Sequence, residues 1–138
     1  MKEISAFKMG KLNLAYASYF DGKSYLNRLL ASPIAIANVT FEPSCRNHWH
    51  VHKAKKGGGQ ILICVHGYGW YQEWGKEPIS LKEGDALYIP PNVKHWHGAQ
   101  KDGWFQHLAF EVPGEETSTE WLEPVSDEDY DKLEENDG

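Results

Sequence analysis

Cysteines and long apolar runs are both scarce in this chain of 138 residues. The two cysteines, Cys45 and Cys64, are too few for a disulfide scaffold, so a cytoplasmic location is the default expectation. The longest purely apolar run is residues 61–65, which is far shorter than the roughly 20 residues that span a bilayer. The N-terminus lacks the apolar segment of a signal peptide, and we therefore expect neither a leader nor a membrane partner.

Basic residues are also too scattered to form a nucleic-acid surface. The chain carries 20 acidic and 14 basic side chains, for a net charge of −6. Twelve of the acids and one base lie in residues 111–138, so residues 1–110 carry a net charge of +5. The densest basic stretch is Lys53–Lys56, whereas nucleic-acid binding uses a broad basic stripe with stacking aromatics. We therefore expect no nucleic-acid partner.

Short β-type segments separated by turn residues make up most of the sequence. They are rich in β-branched, aromatic and apolar side chains, and Gly, Pro, Asn and Asp lie between them. The clearest segments are residues 34–41, 60–65, 67–74 and 86–89. Many short strands at this spacing predict an all-β sandwich or barrel in a single domain.

The chain divides into three parts on this interpretation. Residues 1–33 form a lead-in whose apolar residues follow neither a helical nor a strand periodicity. We expect this segment at a sheet edge or at a dimer contact. Residues 34–125 form the β-barrel, and residues 126–138 form an acidic tail. Residues 127–135 in that tail are the one candidate helix, so the tail is predicted to be short and helical or irregular.

Three histidines alternate in the segment 46–52, namely His48, His50 and His52. Alternate side chains of a strand lie on one face, so the three imidazoles would point the same way, together with Arg46. Neutral imidazole is the commonest metal ligand in proteins, and such a cluster suits Zn, Fe, Ni, Cu or Mn. A histidine-rich exposed strand without a metal is the alternative interpretation.

More histidines follow in the later β segments. His95 and His97 are two residues apart, so they would share a face, and His97 is expected to point into the same pocket as His95. His107 would share a face with Phe105 and Ala109. If that face lines the barrel, His107 is a candidate general acid or base; a purely structural histidine is the alternative.

Two stretches of the sequence resemble the motifs of the cupin superfamily. The first runs from Ser44 through five residues to His50 and His52, with Gln60 in place of the usual acid and Gly67 seven residues later. The second runs over residues 84–95, from a Gly-Asp pair through Pro-Pro-Asn to His95. The resemblance covers residues 34–130 and implies a jelly-roll β-barrel of the cupin type.

The sequence is more specifically similar to two groups of small single-domain cupins. These are the cupins associated with carboxymuconolactone decarboxylases and the manganese cupins with hydroxynitrile-lyase activity. The shared features are Trp-His-x-His at residues 49–52, Gln60, His-Trp-His-Gly-Ala at residues 95–99 and Trp-x-Glu-Pro-Val-x-Asp at residues 121–127. They imply a divalent metal, Mn, Fe, Ni or Zn with Mn or Fe favoured, held by His50, His52, Gln60 and His95.

The sequence departs from the family pattern at two points. The connection between His52 and Gln60 is seven residues long, which is longer than usual, and its three successive glycines can adopt the strained conformations that it needs. The ligand Gln60 replaces the usual glutamate, so all four ligands are neutral. The metal would therefore keep nearly its full charge and would be held less tightly.

The expected function is that of a metal-dependent enzyme for a small carbonyl, hydroxy-acid or lactone-type substrate, with a lyase as one candidate and His107 or His97 moving a proton. Two alternatives stay open: a non-catalytic small-molecule sensor or metal-binding module, and a metal-dependent oxygenase, which needs a redox metal with open positions. The apolar side chains of residues 14–30 predict a homodimer with two-fold symmetry, because cupins usually pair.

Overall fold

The structure, a computed structural model, describes residues 3–133 and consists almost entirely of short β-strands. The strands are β1 (Lys11–Leu12), β2 (Phe20–Asp21), β3 (Ser24–Leu30), β4 (Ile36–Phe41), β5 (Arg46–Asn47), β6 (His50–Lys53), β7 (Lys56–Gly57), β8 (Gln60–His66), β9 (Gly69–Glu73), β10 (Ile79–Leu81), β11 (Ala86–Ile89), β12 (His95–Ala99), β13 (Phe105–Glu111), β14 (Gly114–Glu115) and β15 (Ser118–Trp121). A 3-10 turn spans Ala17–Tyr19, and the helix α1 spans Asp127–Asp131. The predicted all-β class is confirmed. The predicted tail helix is present over five residues, and residues 134 and 135 lie outside the described residues.

The strands form two antiparallel sheets and a small ribbon. The first sheet has the order β1-β3-β4-β13-β8-β11. The second has the order β10-β9-β12-β5-β2, with β6 also paired to β12 and β15 paired to β6. The ribbon is β7 with β14. The histidine strands β6 and β12 are therefore neighbours in the second sheet, while His107 lies on β13 of the first sheet.

The main core lies between these sheets and takes large side chains from both. Phe41, Leu62 and Phe105 come from the first sheet and Tyr71 and Ala99 from the second, and all are almost completely buried. Fully burying a large apolar side chain contributes on the order of 1.5–3 kcal/mol, so these residues provide much of the stability of the barrel. This apolar core fills one part of the barrel interior, and buried polar side chains fill another part.

A second apolar cluster, called here the outer cluster, joins the tail to the second sheet. Its members are Trp49, Trp70, Trp96, Val125 and Tyr130. The Tyr130 hydroxyl donates to the backbone carbonyl of Ala99. The acidic tail is thus bound to the barrel as far as α1.

Arg46 fixes the tail from the barrel side. Its guanidinium donates to the Val125 carbonyl and to Asp127 at 2.6 Å, and it lies 4.3 Å from the centre of the Tyr130 ring. The sequence analysis placed Arg46 on the histidine face, and this placement is wrong. Residues 48 and 49 lie outside the strands, which breaks the two-residue alternation between β5 and β6. The inward-facing residue of β5 is Asn47.

The lead-in contributes strands to both sheets. β3 pairs with β4 from Ser24 to Leu30, and β2 pairs with β5. The Asn38 side chain donates to the Lys8 carbonyl at 2.9 Å, which holds the segment before β1 against the barrel. The proposed divisions at residues 33 and 125 stay predictions. None of the helices in residues 3–133 has the length and apolar character needed to cross a membrane.

Left-handed glycines shape the long connection that precedes Gln60. Gly57, Gly58 and Gly59 have φ values of 63°, 84° and 94°, a region that side chains other than glycine rarely adopt. A Cβ on Gly59 would lie 2.5 Å from the Ile89 carbonyl oxygen. The seven-residue connection thus contains β7, which pairs with β14, and it returns the chain to the barrel at β8.

Candidate metal centre

Three histidine side chains converge at one end of the barrel. His50 on β6 lies directly opposite His95 on β12, and His52 lies two residues further along β6. One ring nitrogen from each histidine lies within 4.8 Å of those of the other two. Because metal–imidazole bonds are about 2.0–2.1 Å long, one ion can reach all three atoms. The structure thus brings together the three histidines predicted from the two motifs.

Backbone carbonyls fix the orientation of two of these rings. His50 Nδ1 lies 2.8 Å from the carbonyl oxygen of His48, and His95 Nδ1 lies 2.9 Å from that of Val93. A carbonyl only accepts, so Nδ1 carries the proton in both rings and Nε2 keeps a free lone pair. This is the arrangement that metal-binding histidines use. His48, whose ring was predicted to share the face of His50 and His52, contributes its backbone carbonyl to the site.

The third histidine and Gln60 complete the set of free ligand atoms. His52 Nδ1 lies 3.3 Å from Thr119 Oγ1. The Nε2 atoms of His52 and His95 and the Oε1 atom of Gln60 are buried and have no hydrogen-bond partner in residues 3–133. A buried polar atom without a partner costs about 1–3 kcal/mol. Several such atoms in one place indicate that a ligand satisfies them.

Burial keeps the three imidazoles neutral. It lowers the pKa of His95 to about 4, lowers the pKa of His50 well below its usual value, and lowers that of His52. The charge of Glu111 and the contact with Gln60 act in the opposite direction on the pKa of His52 but are weaker than burial. At neutral pH each ring therefore offers a lone pair rather than a charge. Three neutral nitrogens and an amide oxygen fit a divalent cation.

A cavity of about 380 Å³ opens beside these ligands, a size within the range of small-molecule sites. Its walls include His50, His52 and Gln60 together with small apolar side chains of the first sheet, such as Ala37 and Ala109. The cavity therefore gives a small organic molecule room next to the ligand atoms.

His97 and His107 line the same cavity from opposite sheets. His107 Nε2 lies 3.2 Å from His97 Nδ1, so one ring donates to the other. Asn47 Oδ1 accepts from the His97 backbone N–H at 2.9 Å, which turns the Asn47 amide nitrogen toward the His97 ring. Burial lowers the pKa of His107 to about 4, and it lowers the pKa of His97 well below its usual value. The pair is neutral and can accept a proton.

The sequence analysis did not identify several residues of the site. Asn47 supports His97, Thr119 contacts His52, and Glu111 accepts from the Gln60 side chain at 2.8 Å. The Trp121 ring stacks on His50 with ring centroids 4.6 Å apart. Thr119 and Trp121 are brought here by the pairing of β15 with β6, which no local sequence signal indicates.

The two-sheet barrel with these ligands at one end defines a cupin. The cupin domain family matches residues 37–108, and this chain belongs to that family. The predicted cupin-type fold is therefore confirmed.

Two similar proteins can each be aligned with most of this chain. One is the protein of Granulicella tundricola named (R)-mandelonitrile lyase, which is 36% identical over 83% of this chain and 87% of its own length. The other is a cupin-like protein of Thermotoga maritima, whose crystal structure has a TM-score of 0.80 and 36% identity, covering 92% of this chain and 95% of that one. A Thermotoga maritima protein described as a predicted oxalate decarboxylase shares the fold, with a TM-score of 0.66 at 17% identity over 81% of this chain and 98% of its own.

Proposed function

We propose that this protein is a metal-dependent lyase that cleaves a small hydroxy compound to a carbonyl compound. The observation that carries the proposal is the group of buried, unpartnered ligand atoms of His52, Gln60 and His95 beside a cavity of about 380 Å³. The similarity to a protein named (R)-mandelonitrile lyase supports a 2-hydroxynitrile as the first substrate to test.

His50, His52, Gln60 and His95 would hold the metal, which we propose to be manganese or iron. A divalent cation held there would supply a Lewis acid that polarises a substrate oxygen. His107 takes the proton of the substrate hydroxyl and shares it with His97 through their 3.2 Å hydrogen bond. The carbon–carbon bond to the nitrile breaks, and its electron pair leaves on cyanide. Return of the proton gives hydrogen cyanide and the aldehyde.

Turnover by the metal-loaded protein tests this function. Protein reconstituted with manganese(II) or iron(II) should release benzaldehyde from mandelonitrile faster than metal-free protein does. A parallel panel of hydroxy acids and lactones covers the other substrate classes. Ligand binding without turnover would favour the sensor alternative, and oxygen uptake with substrate would favour the oxygenase; either result contradicts the lyase.

The proposed partners are a small-molecule substrate and a second copy of the chain, in the cytoplasm, without nucleic acid or membrane. Apolar side chains on and beside β1 and β3 remain exposed, among them Leu12, Leu14, Leu29 and Leu30. Several exposed large apolar side chains in one region are typical of a protein–protein interface. The same region was predicted to form the dimer contact.

The dimer proposal predicts that light scattering gives twice the 15.7 kDa chain mass at micromolar concentration. Leu14, with 74% of its surface exposed, is the residue to change. Leu14→Asp should shift the protein toward the monomer, because the carboxylate would have to be buried in the interface. Ile79→Asp, which changes another exposed apolar residue away from this region, is the control. A monomeric wild type would contradict the proposal.

A further inference from the structure

We propose that Glu111 is a positioning residue for the metal centre. It holds the Gln60 amide with its oxygen toward the three histidines, and it supplies a negative charge next to a ligand set that has none. This inference rests on the metal binding proposed above.

The Gln60 amide can present either its oxygen or its nitrogen to a neighbour, and Glu111 decides between them. Gln60 Nε2 lies 2.8 Å from Glu111 Oε1. A carboxylate only accepts hydrogen bonds, so the amide N–H must face Glu111. The amide oxygen therefore faces away from Glu111, where it is buried and has no partner in the described part of the chain. The opposite orientation would place two oxygens against each other and turn N–H donors toward the cation.

The backbone fixes both residues of this pair. Gln60 is the first residue of β8 and Glu111 the last of β13, and they lie directly opposite each other in the sheet. Such residues have Cβ atoms about 4.5–5.5 Å apart, which suits a contact between their side chains. The Glu111 N–H donates to the Ala35 carbonyl, and the Val112 N–H donates to that of Gly59. The chain is therefore held on both sides of the pair.

The orientation of the Gln60 amide contributes more to metal binding than the negative charge of Glu111 does. Glu111 Oε1 lies 2.8 Å from the Gln60 amide nitrogen, so the negative charge of this carboxylate lies next to the ligand set. Its side chain is nevertheless exposed, so water and salt screen that charge. The hydrogen bond to the buried Gln60 is the stronger constraint, and its loss leaves the amide free to turn.

Exchanging the two side chains tests the proposal. In Glu111→Gln the neutral partner can both donate and accept, so the orientation is lost together with the charge. In the double variant Gln60→Glu with Glu111→Gln, the hydrogen bond is kept with its direction reversed, and the charge moves into the ligand set. The net charge and the number of non-hydrogen atoms equal those of the wild type.

The measurement is the half-life of bound manganese(II) in excess chelator, followed by the spin-resonance signal of the metal. Glu111→Gln should shorten the half-life about tenfold, since losing a hydrogen-bond partner of a ligand typically costs 10–100-fold in affinity. The double variant should equal or exceed the wild type. Gln60→Glu alone should lie below the double variant, because two carboxylates then face each other.

Glu115→Gln is the control, because it removes the same charge from an exposed position on β14. Its half-life should equal that of the wild type. Equal half-lives for Glu111→Gln and the wild type would overturn the inference while leaving the proposed function intact. A double variant that loses metal as fast as Glu111→Gln would also overturn it. A wild type that never binds manganese(II) would overturn both the inference and the metal site.

Discussion

His95→Ala is expected to leave the protein almost free of metal, whereas the wild type should carry about one divalent ion per chain. His95 is fully buried, and its Nε2 atom is one of the free ligand atoms. Loss of a ligand's hydrogen-bond partner already costs roughly 10–100-fold in metal affinity, and loss of the ligand itself should cost more. Elemental analysis of protein purified in the presence of manganese gives the result directly.

His66→Ala is the matched control for this variant. His66 lies at the far end of β8, where its nearest charged partner is Glu83 at 3.8 Å. Its replacement should leave the metal content unchanged. Denaturant midpoints of both variants establish that they are folded. Full metal occupancy in folded His95→Ala would remove His95 from the ligand set.

His107→Gln is expected to lower kcat by roughly 10²–10⁴-fold, which is the usual contribution of a general acid or base. Its metal content should stay at the wild-type value, because His107 is not among the three clustered histidines. The glutamine fills a similar volume and can still reach His97, so the cavity should keep its shape. KM should therefore change much less than kcat.

Steady-state kinetics with mandelonitrile, together with metal analysis of the same samples, separates these effects. A parallel fall in kcat and metal content would assign His107 a structural role at the metal centre. Unchanged kcat would exclude His107 from the proton transfer.

The ligand histidines could be predicted from the sequence because their information is local. His50 and His52 alternate within one strand, and the cupin motifs add Gln60 and His95 at characteristic spacings. The alternation also predicted that His97 points into the pocket, and His97 does line the cavity. These predictions needed only the period of a strand and the order of two motifs.

The surroundings of the ligands could not be predicted in the same way, because they depend on strand pairing. Glu111 is 51 residues from Gln60, and Thr119 is 67 residues from His52. Which strands pair is decided by the packing of the complete barrel. The predicted position of Arg46 was wrong for a different reason. The two irregular residues before His50 break the alternation on which that prediction relied.

The stacking of Trp121 on His50 gives the site an intrinsic optical reporter. Trp121 lies 4.6 Å from a ligand ring, while the tryptophans of the outer cluster pack against the tail. A paramagnetic ion at the histidines should quench the fluorescence of Trp121 strongly and that of the outer cluster weakly. The difference in emission on adding the ion or a chelator would therefore follow occupancy in real time, without a label.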